Sequence, residues 1–310
     1  MSANDKTTLT YRILSEEEQP RALPLLGRCF KEAWENIALT CKKFPIYELS
    51  FAAFDGETIV GHVGLIPYTV SDGKGGKFLM GGIGSVATDP DYRGRGIASG
   101  LCKSVIEWCG SHPEYRSLPL YTGKDRVYES VGWRSYVSEK PMRVKLAAPG
   151  AGALPWTTAK GVSAAGQARI RELYDNGEDF CGKVLRGMAN GIQDWPRFFR
   201  EAEFTYVLSG GIYALLTDNA AVEIYCDPGT TDDELMDFLL RLPCRQEDGT
   251  MDLALPRQGR IAKMLRARNH DITDCPRDLM HGEHPMVFDL TRPGFHDLPE
   301  SVFYPLGDKF

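Results

Sequence analysis

The sequence predicts an α/β chain (α+β in layout) of two units in tandem, each a mixed, mostly antiparallel sheet flanked by helices. Three observations carry this reading. The 310 residues exceed the roughly 150 of one typical domain. Strand-like apolar runs and helical spacings of apolar residues recur in the same order in both halves. Between the halves, Ala147-Ala-Pro-Gly-Ala-Gly-Ala-Leu-Pro-Trp156 is a small-residue and proline stretch that neither helix nor strand tolerates. The predicted units are therefore 1–146 and 157–290, with a linker at 147–156 and a tail at 291–310.

In the first half, Thr8–Leu14 is predicted as a strand. Pro20–Trp34 is predicted as a helix, because Leu23, Leu26, Phe30 and Trp34 fall at helical spacing. Leu49–Phe54 and Thr58–Val70 form a predicted hairpin through Asp55-Gly56, a dipeptide suited to a tight turn. The glycine-lysine run Asp72–Lys77 lies between two strands with no helix after it, so it reads as a hairpin turn into Phe78–Thr88. Helix Ile97–Cys109 comes next with Ile97, Leu101, Val105 and Trp108 on one face. The half ends with strand Leu118–Tyr121, helix Arg126–Val131, strand Arg134–Val137 and a closing strand within Pro141–Leu146.

The second half is predicted to run through helices at Ala164–Asn176 and Trp195–Glu203, then strands Phe204–Leu208, Ile212–Leu216 and Ala221–Cys226. Thr230-Thr231-Asp232-Asp233-Glu234 is a capping sequence that opens helix Thr231–Leu242. Strand Met251–Leu255, helix Arg257–Arg268 and strand Met286–Leu290 complete an order that matches the first half.

Composition narrows the function classes. Hydrophobic residues at 43% and charged residues at 25% are globular values and exclude disordered and fibrous classes. A net charge of -6 argues against a nucleic-acid or anionic-membrane binder and is compatible with a cationic substrate. The eight cysteines form no C-x-x-C pair, so no zinc ribbon or redox motif is expected, and no metal. No apolar run reaches a membrane-spanning length, and Met1–Thr8 lacks a signal-like core. These features predict a cytoplasmic protein with reduced thiols. His281 and His284 stand at i, i+3 among glycine and proline, with no third ligand in view, and are read as incidental polarity.

Chemistry concentrates in Ser85-Val-Ala-Thr-Asp-Pro-Asp-Tyr-Arg-Gly-Arg-Gly-Ile-Ala-Ser-Gly100. A strand ends at Thr88, Pro90 turns the chain, and Arg93-Gly94-Arg95-Gly96-Ile97-Ala98 runs straight into an amphipathic helix. Such a junction leaves free backbone N–H groups and a positive dipole end. Glycines let an anion approach them closely, so a pyrophosphate suits the loop. The glycines at 94, 96 and 100 fit neither G-x-G-x-x-G nor G-x-x-x-x-G-K-[ST].

Val86–Ala98 resembles the acetyl-coenzyme A motif of the GCN5-related N-acetyltransferases (GNAT), Arg/Gln-x-x-Gly-x-Gly/Ala, with Arg93, Gly96 and Ala98 at the motif positions. Leu120–Arg134 is similar to that family's second motif, a tyrosine in a short helix before Gly-Trp. The resemblance covers residues 8 to about 146. It implies that the backbone of Val86, Ala87 and Thr88 pairs with a pantetheine arm. It also implies that Arg93, Gly94, Arg95, Gly96, Ile97, Ala98 and Ser99 hold the pyrophosphate. Tyr128 is then the general acid for the departing thiolate.

The implied reaction is attack of a primary amine on acetyl-coenzyme A in a ternary complex, the amine belonging to a small cationic molecule such as an amino sugar, aminoglycoside or polyamine. Protein lysine or N-terminal acetylation, and a non-catalytic acyl-coenzyme A sensor, are the alternatives. Strand Met80–Thr88 lacks the glutamate that often serves as base in the family. The doubled architecture resembles the enhanced intracellular survival proteins, whose second half lacks the phosphate loop and whose C-terminal carboxylate acts as base. That implies a catalytic carboxylate on Phe310, although the chain is too short for their third, sterol-carrier-like domain. A homo-oligomer is compatible with this resemblance. Trp34, Asn36, Tyr47 and Glu48 lie where acceptor-binding loops occur in such folds. Acidic Asp227, Asp232 and Asp233 near the equivalent helix start of the second half are expected to repel a pyrophosphate.

Overall fold

The computed structural model describes residues 9–30, 49–135, 139–146, 152–187, 195, 199, 204–217, 219–279 and 282–290. The first sheet opens with β1 (Thr10–Ile13). The helix expected over Pro20–Trp34 is divided: a 3-10 turn at Gln19–Ala22 precedes α1 (Leu23–Cys29). Pro24 has no N–H to donate back to the preceding turn, so the α-helix restarts there. Its Leu25 and Leu26 pack with Ala52, Phe54 and Ile59 on one sheet face.

Strands β2 (Leu49–Asp55), β3 (Thr58–Asp72) and β4 (Lys77–Thr88) form an antiparallel meander. The opposite sheet face carries α2 (Ile97–Gly110), which buries Ile97, Leu101, Cys102, Val105 and Cys109. Gly61 on β3 permits this contact, because a Cβ there would stand 2.5 Å from the Ile97 side chain and 2.9 Å from that of Leu101. Next in the chain are β5 (Tyr115–Thr122), α3 (Asp125–Glu129) and β6 (Arg134–Ser135).

Beyond them come β7 (Met142–Lys145), β8 (Trp156–Thr158), α4 (Ala164–Asp175) and β9 (Cys181–Val184). The second meander is β10 (Thr205–Ser209), β11 (Ile212–Thr217) and β12 (Ala220–Cys226). It leads to α5 (Asp232–Leu240), β13 (Thr250–Leu253), α6 (Arg260–Ala267), β14 (Ile272–Asp274) and β15 (His284–Asp289). The expected helix at Trp195–Glu203 falls almost wholly outside the described residues, as does the first half, 147–151, of the expected linker.

Among the described residues the first sheet runs β1-β2-β3-β4-β5-β15-β6 with β9 on β3, and the second runs β14-β7-β13-β12-β11-β10-β8. Two expectations are corrected here. The strand within Pro141–Leu146 does not close the first sheet; β7 inserts between β13 and β14 of the second. Strand Met286–Leu290 does not end the second unit; β15 inserts between β5 and β6 of the first. The exchange is reciprocal. Each traded strand fills the gap that a strand-helix-strand crossover leaves in the other sheet, supplying backbone partners on both sides. Side chains hold the trade in place. Met142 and Val144 enter the second core, and Arg143 grips the fully buried Asp252 through two bonds of 2.7 and 2.8 Å. In return, Met286 enters the first core and Asp289 pairs with Arg134 at 2.7 Å. No helix among the described residues is long and apolar enough to cross a membrane.

Candidate active site

β4 and β5 are parallel but pair only at Leu79–Tyr115 and Met80–Ser117. Past that point β4 continues to Thr88 and β5 to Thr122, so the strands part and a wedge opens between their C-terminal ends. At its mouth lies a cleft of about 420 Å³. Val86, Ala87 and Thr88 line it from β4; Arg93, Gly94, Gly96, Ile97, Ala98 and Ser99 line it from the loop and the start of α2. Lys124, Val127 and Tyr128 line it from the α3 side. The expected site residues of the first half are thus gathered in one place, with one exception. Arg95 turns back, donating to the Asp91 carbonyl at 3.1 Å and stacking over the Tyr92 ring at 4.6 Å.

The loop is open and glycine-rich. Gly94 and Gly96 adopt φ of +77° and +76°, a region that strains any residue with a Cβ. No atom lies within 4 Å of a Cβ built at either position, so their exposed faces leave room for a ligand. Gly96 is the N-cap of α2, and no side chain caps the helix. The first-turn N–H groups therefore remain available, with the dipole behind them. Anchors fix the loop from outside: Asp89 accepts from the Asp91 N–H at 3.1 Å and pairs with Arg28. The Tyr92 hydroxyl donates to Asp55 at 2.6 Å.

Tyr128 sits in the short α3, buried against Trp133, whose ring meets it edge-on at 6.1 Å. Trp133 is itself locked by its indole N–H donating to the Leu118 carbonyl at 2.8 Å. Burial pushes the Tyr128 phenol above its ordinary range, with the Cys102 thiol and Glu283 acting in the same direction and a hydrogen bond to Thr122 opposing them. The phenol consequently keeps its proton at neutral pH, the state a general acid requires.

Sequence reasoning missed Cys29, Phe30, Lys124 and Val127 as cleft residues. No local pattern signals Cys29; α1 is drawn to the end of β4 by the Arg28–Asp89 pair, with the Cys29 thiol 3.5 Å from the Thr88 carbonyl. Phe310, Trp34, Asn36, Tyr47, Glu48 and His281 lie outside the described residues. His284 is 2.8 Å from Asp125 at the start of α3. No metal-binding group of histidine, cysteine and carboxylate residues occurs among the described residues.

The second half has an equivalent wedge, since β12 and β13 pair in parallel only at Ala220–Asp252 and Ala221–Leu253. Its cleft measures about 170 Å³. Here α5 caps itself: Thr231 accepts from the Glu234 N–H at 3.2 Å while Glu234 accepts from the Thr231 N–H at 2.7 Å. Arg260 lines this cleft, donating to the Thr230 carbonyl and to Asp232. The acidic groups expected to repel a phosphate are each ion-paired: Asp227 with Arg169, Asp232 with Arg260, Asp233 with Arg268. What differs from the first half is therefore an occupied helix end more than an excess of negative charge.

Residues 10–135 match the family described as an acetyltransferase (GNAT) domain, so this part of the chain carries that domain. Solved structures share the fold over most of the chain. A probable N-acyltransferase from Enterococcus faecalis V583 is 17% identical with a TM-score of 0.62, covering 92% of this chain and 73% of that one. Eis1 from Mycobacterium abscessus is 15% identical with a TM-score of 0.59, over 91% and 74%. A GCN5-related N-acetyltransferase from Kribbella flavida is 15% identical with a TM-score of 0.56, over 91% and 72%. No curated protein sequence matches the chain.

Proposed function

We propose that the protein transfers an acetyl group from acetyl-coenzyme A to a primary amine of a small cationic molecule, such as an amino sugar, aminoglycoside or polyamine, by direct attack in a ternary complex. One observation carries the reading: the glycine loop, the free end of β4 and Tyr128 converge on the same cleft. When bound, acetyl-coenzyme A supplies an activated thioester. The amides of Gly94 through Ser99 receive its pyrophosphate, and Arg93 adds positive charge beside them. The edge of Val86–Thr88 that β5 leaves uncovered offers strand-like hydrogen bonds to the amide groups of the pantetheine arm. Tyr128 holds a proton at its hydroxyl for the sulfur that leaves as the new C–N bond replaces the C–S bond. The proton lost by the amine passes to a base, a role the chemistry leaves to solvent or to the Phe310 carboxylate.

The net charge of -6 supports a cationic acceptor by raising its local concentration. On this reading the second half, with its self-capped helix, is a non-catalytic domain that shapes the acceptor side, and the protein works in the cytoplasm. Calorimetric titration with acetyl-coenzyme A, repeated on Arg93→Ala and Gly96→Glu, tests the proposal. Micromolar binding that both substitutions abolish is expected, and after it turnover in a screen of amines. Absence of binding at millimolar coenzyme overturns it.

A further inference from the structure

The mechanism makes no use of His62, yet this histidine is fully buried beneath the coenzyme-facing strand. Gly64 pairs with Gly84 and His62 with Ala87, so one β3 residue, Val63, faces two on β4, Ser85 and Val86. The extra residue is a β-bulge, which bends its strand and re-aims the residues beyond it. Ser85 takes φ of +46°, a costly conformation for a residue with a Cβ and one that persists only where surroundings impose it. His62 supplies such a constraint. Its Nδ1 lies 3.0 Å from the Ser85 carbonyl, and its Nε2 lies 3.1 Å from Ser50 Oγ on β2. A carbonyl only accepts, so Nδ1 carries the proton and Nε2 accepts from the Ser50 hydroxyl.

We propose that His62 is a positioning residue that holds the Ser85 bulge and thereby aims Val86, Ala87 and Thr88 at the acyl-pantetheine arm. This rests on the coenzyme reading above. Through one ring the bulge is tied to β2, two strands away, so the free edge of β4 is set before any ligand arrives. Burial keeps the ring neutral, holding it down to about 4, so the donor and acceptor roles of the two nitrogens stay fixed across the physiological range.

The test is calorimetric titration of the whole protein with coenzyme A, using His62→Leu, His62→Gln and Ser50→Ala. Leucine removes the ring's hydrogen bonds to Ser85 and Ser50, and an affinity loss of about tenfold or more is expected. Glutamine can donate and accept at once, so its affinity should stay within about threefold of the parent. Hydrogen exchange supplies a readout that general destabilisation does not move: protection should fall in 84–89 and not across α2. Should His62→Leu fail to fold, Ser50→Ala decides, with a loss of about fivefold expected from releasing Nε2. Unchanged affinity in a folded His62→Leu, or in Ser50→Ala where that variant decides, overturns the proposal. Failure of the parent protein to bind coenzyme A overturns the function itself and removes this inference with it.

Discussion

Arg186 forms a buried, two-pronged ion pair with Glu223, although the two residues are anchored in different sheets. Arg186 lies just past β9, whose backbone pairs with β3 of the first sheet, and the Leu185 N–H donates to the Thr69 carbonyl at 2.8 Å. Glu223 lies in β12 of the second sheet and also accepts from the Tyr213 hydroxyl at 3.0 Å. The Arg186 guanidinium stacks over the Tyr174 ring at 4.3 Å and the Trp195 ring at 5.0 Å. The segment from β9 to Arg186 thus has its main chain tied to the first sheet and the Arg186 guanidinium paired with Glu223 of the second.

Removing one partner of that pair leaves an uncompensated buried charge. Glu223→Ala is expected to cost about 3–5 kcal/mol, whereas replacing Arg186 and Glu223 together with apolar residues of similar volume should cost much less. Urea denaturation of the single and double variants checks this, and additive losses would count against a coupled pair.

Tyr128→Phe should leave coenzyme A affinity unchanged and lower turnover by about 10²-fold or more. The sign of the pH effect comes from the raised phenol. A general acid works in its protonated form, so its contribution fades as pH rises through its own pKa. With that pKa displaced upward, Tyr128 imposes no alkaline loss of rate at or below about pH 10. An alkaline limb near neutrality that persists in Tyr128→Phe would belong to another group.

His62 makes acid stability measurable. Its folded value is lowered from 6.5 to about 4, so below pH 6.5 the unfolded chain binds a proton that the folded chain refuses. Stability from this group is complete above about pH 6.5 and falls as pH drops towards 4, by up to about 3 kcal/mol. Denaturant midpoints of His62→Gln should therefore decline less than those of the parent between pH 6.5 and 4.

The strand trade predicts a truncation effect. A chain ending at residue 281 loses β15 and exposes the β5 edge beside Thr122 and α3, while one ending at 290 keeps both. The shorter chain should lose coenzyme A binding and aggregate through its opened edge. The longer should bind as the full chain does. Equal binding by both would show that β15 has no part in holding the cleft.

Much of this molecule is legible locally. The helical spacing of Ile97, Leu101 and Val105, the Asp55-Gly56 turn and the Thr231–Glu234 capping box all appear as read. So does the Arg93–Ala98 junction, because each depends on neighbours within a few residues. Tyr128 stands out in the sequence only through its motif, and the structure sets it with the glycine loop in one cleft. The misreadings concern short strands. β7 and β15 alternate like any strand, and nothing in four or six residues specifies which sheet they enter.

The sequence by itself determined most of the longer elements, their order and the open glycine loop, since backbone propensity, turn chemistry and periodicity act over short range; the short strands β8, β9 and β14 carried no such signal. Tertiary structure alone decided which strand pairs with which. Asp252 selects Arg143 from 109 positions away, and β5 finds β15 across the whole second half. It also decided that Arg95 turns from the cleft, that Arg260 pairs with Asp232 at the second one, and that His62 meets the bulge at Ser85. These are matters of cross-strand register and buried charge, which exist only once distant segments have met.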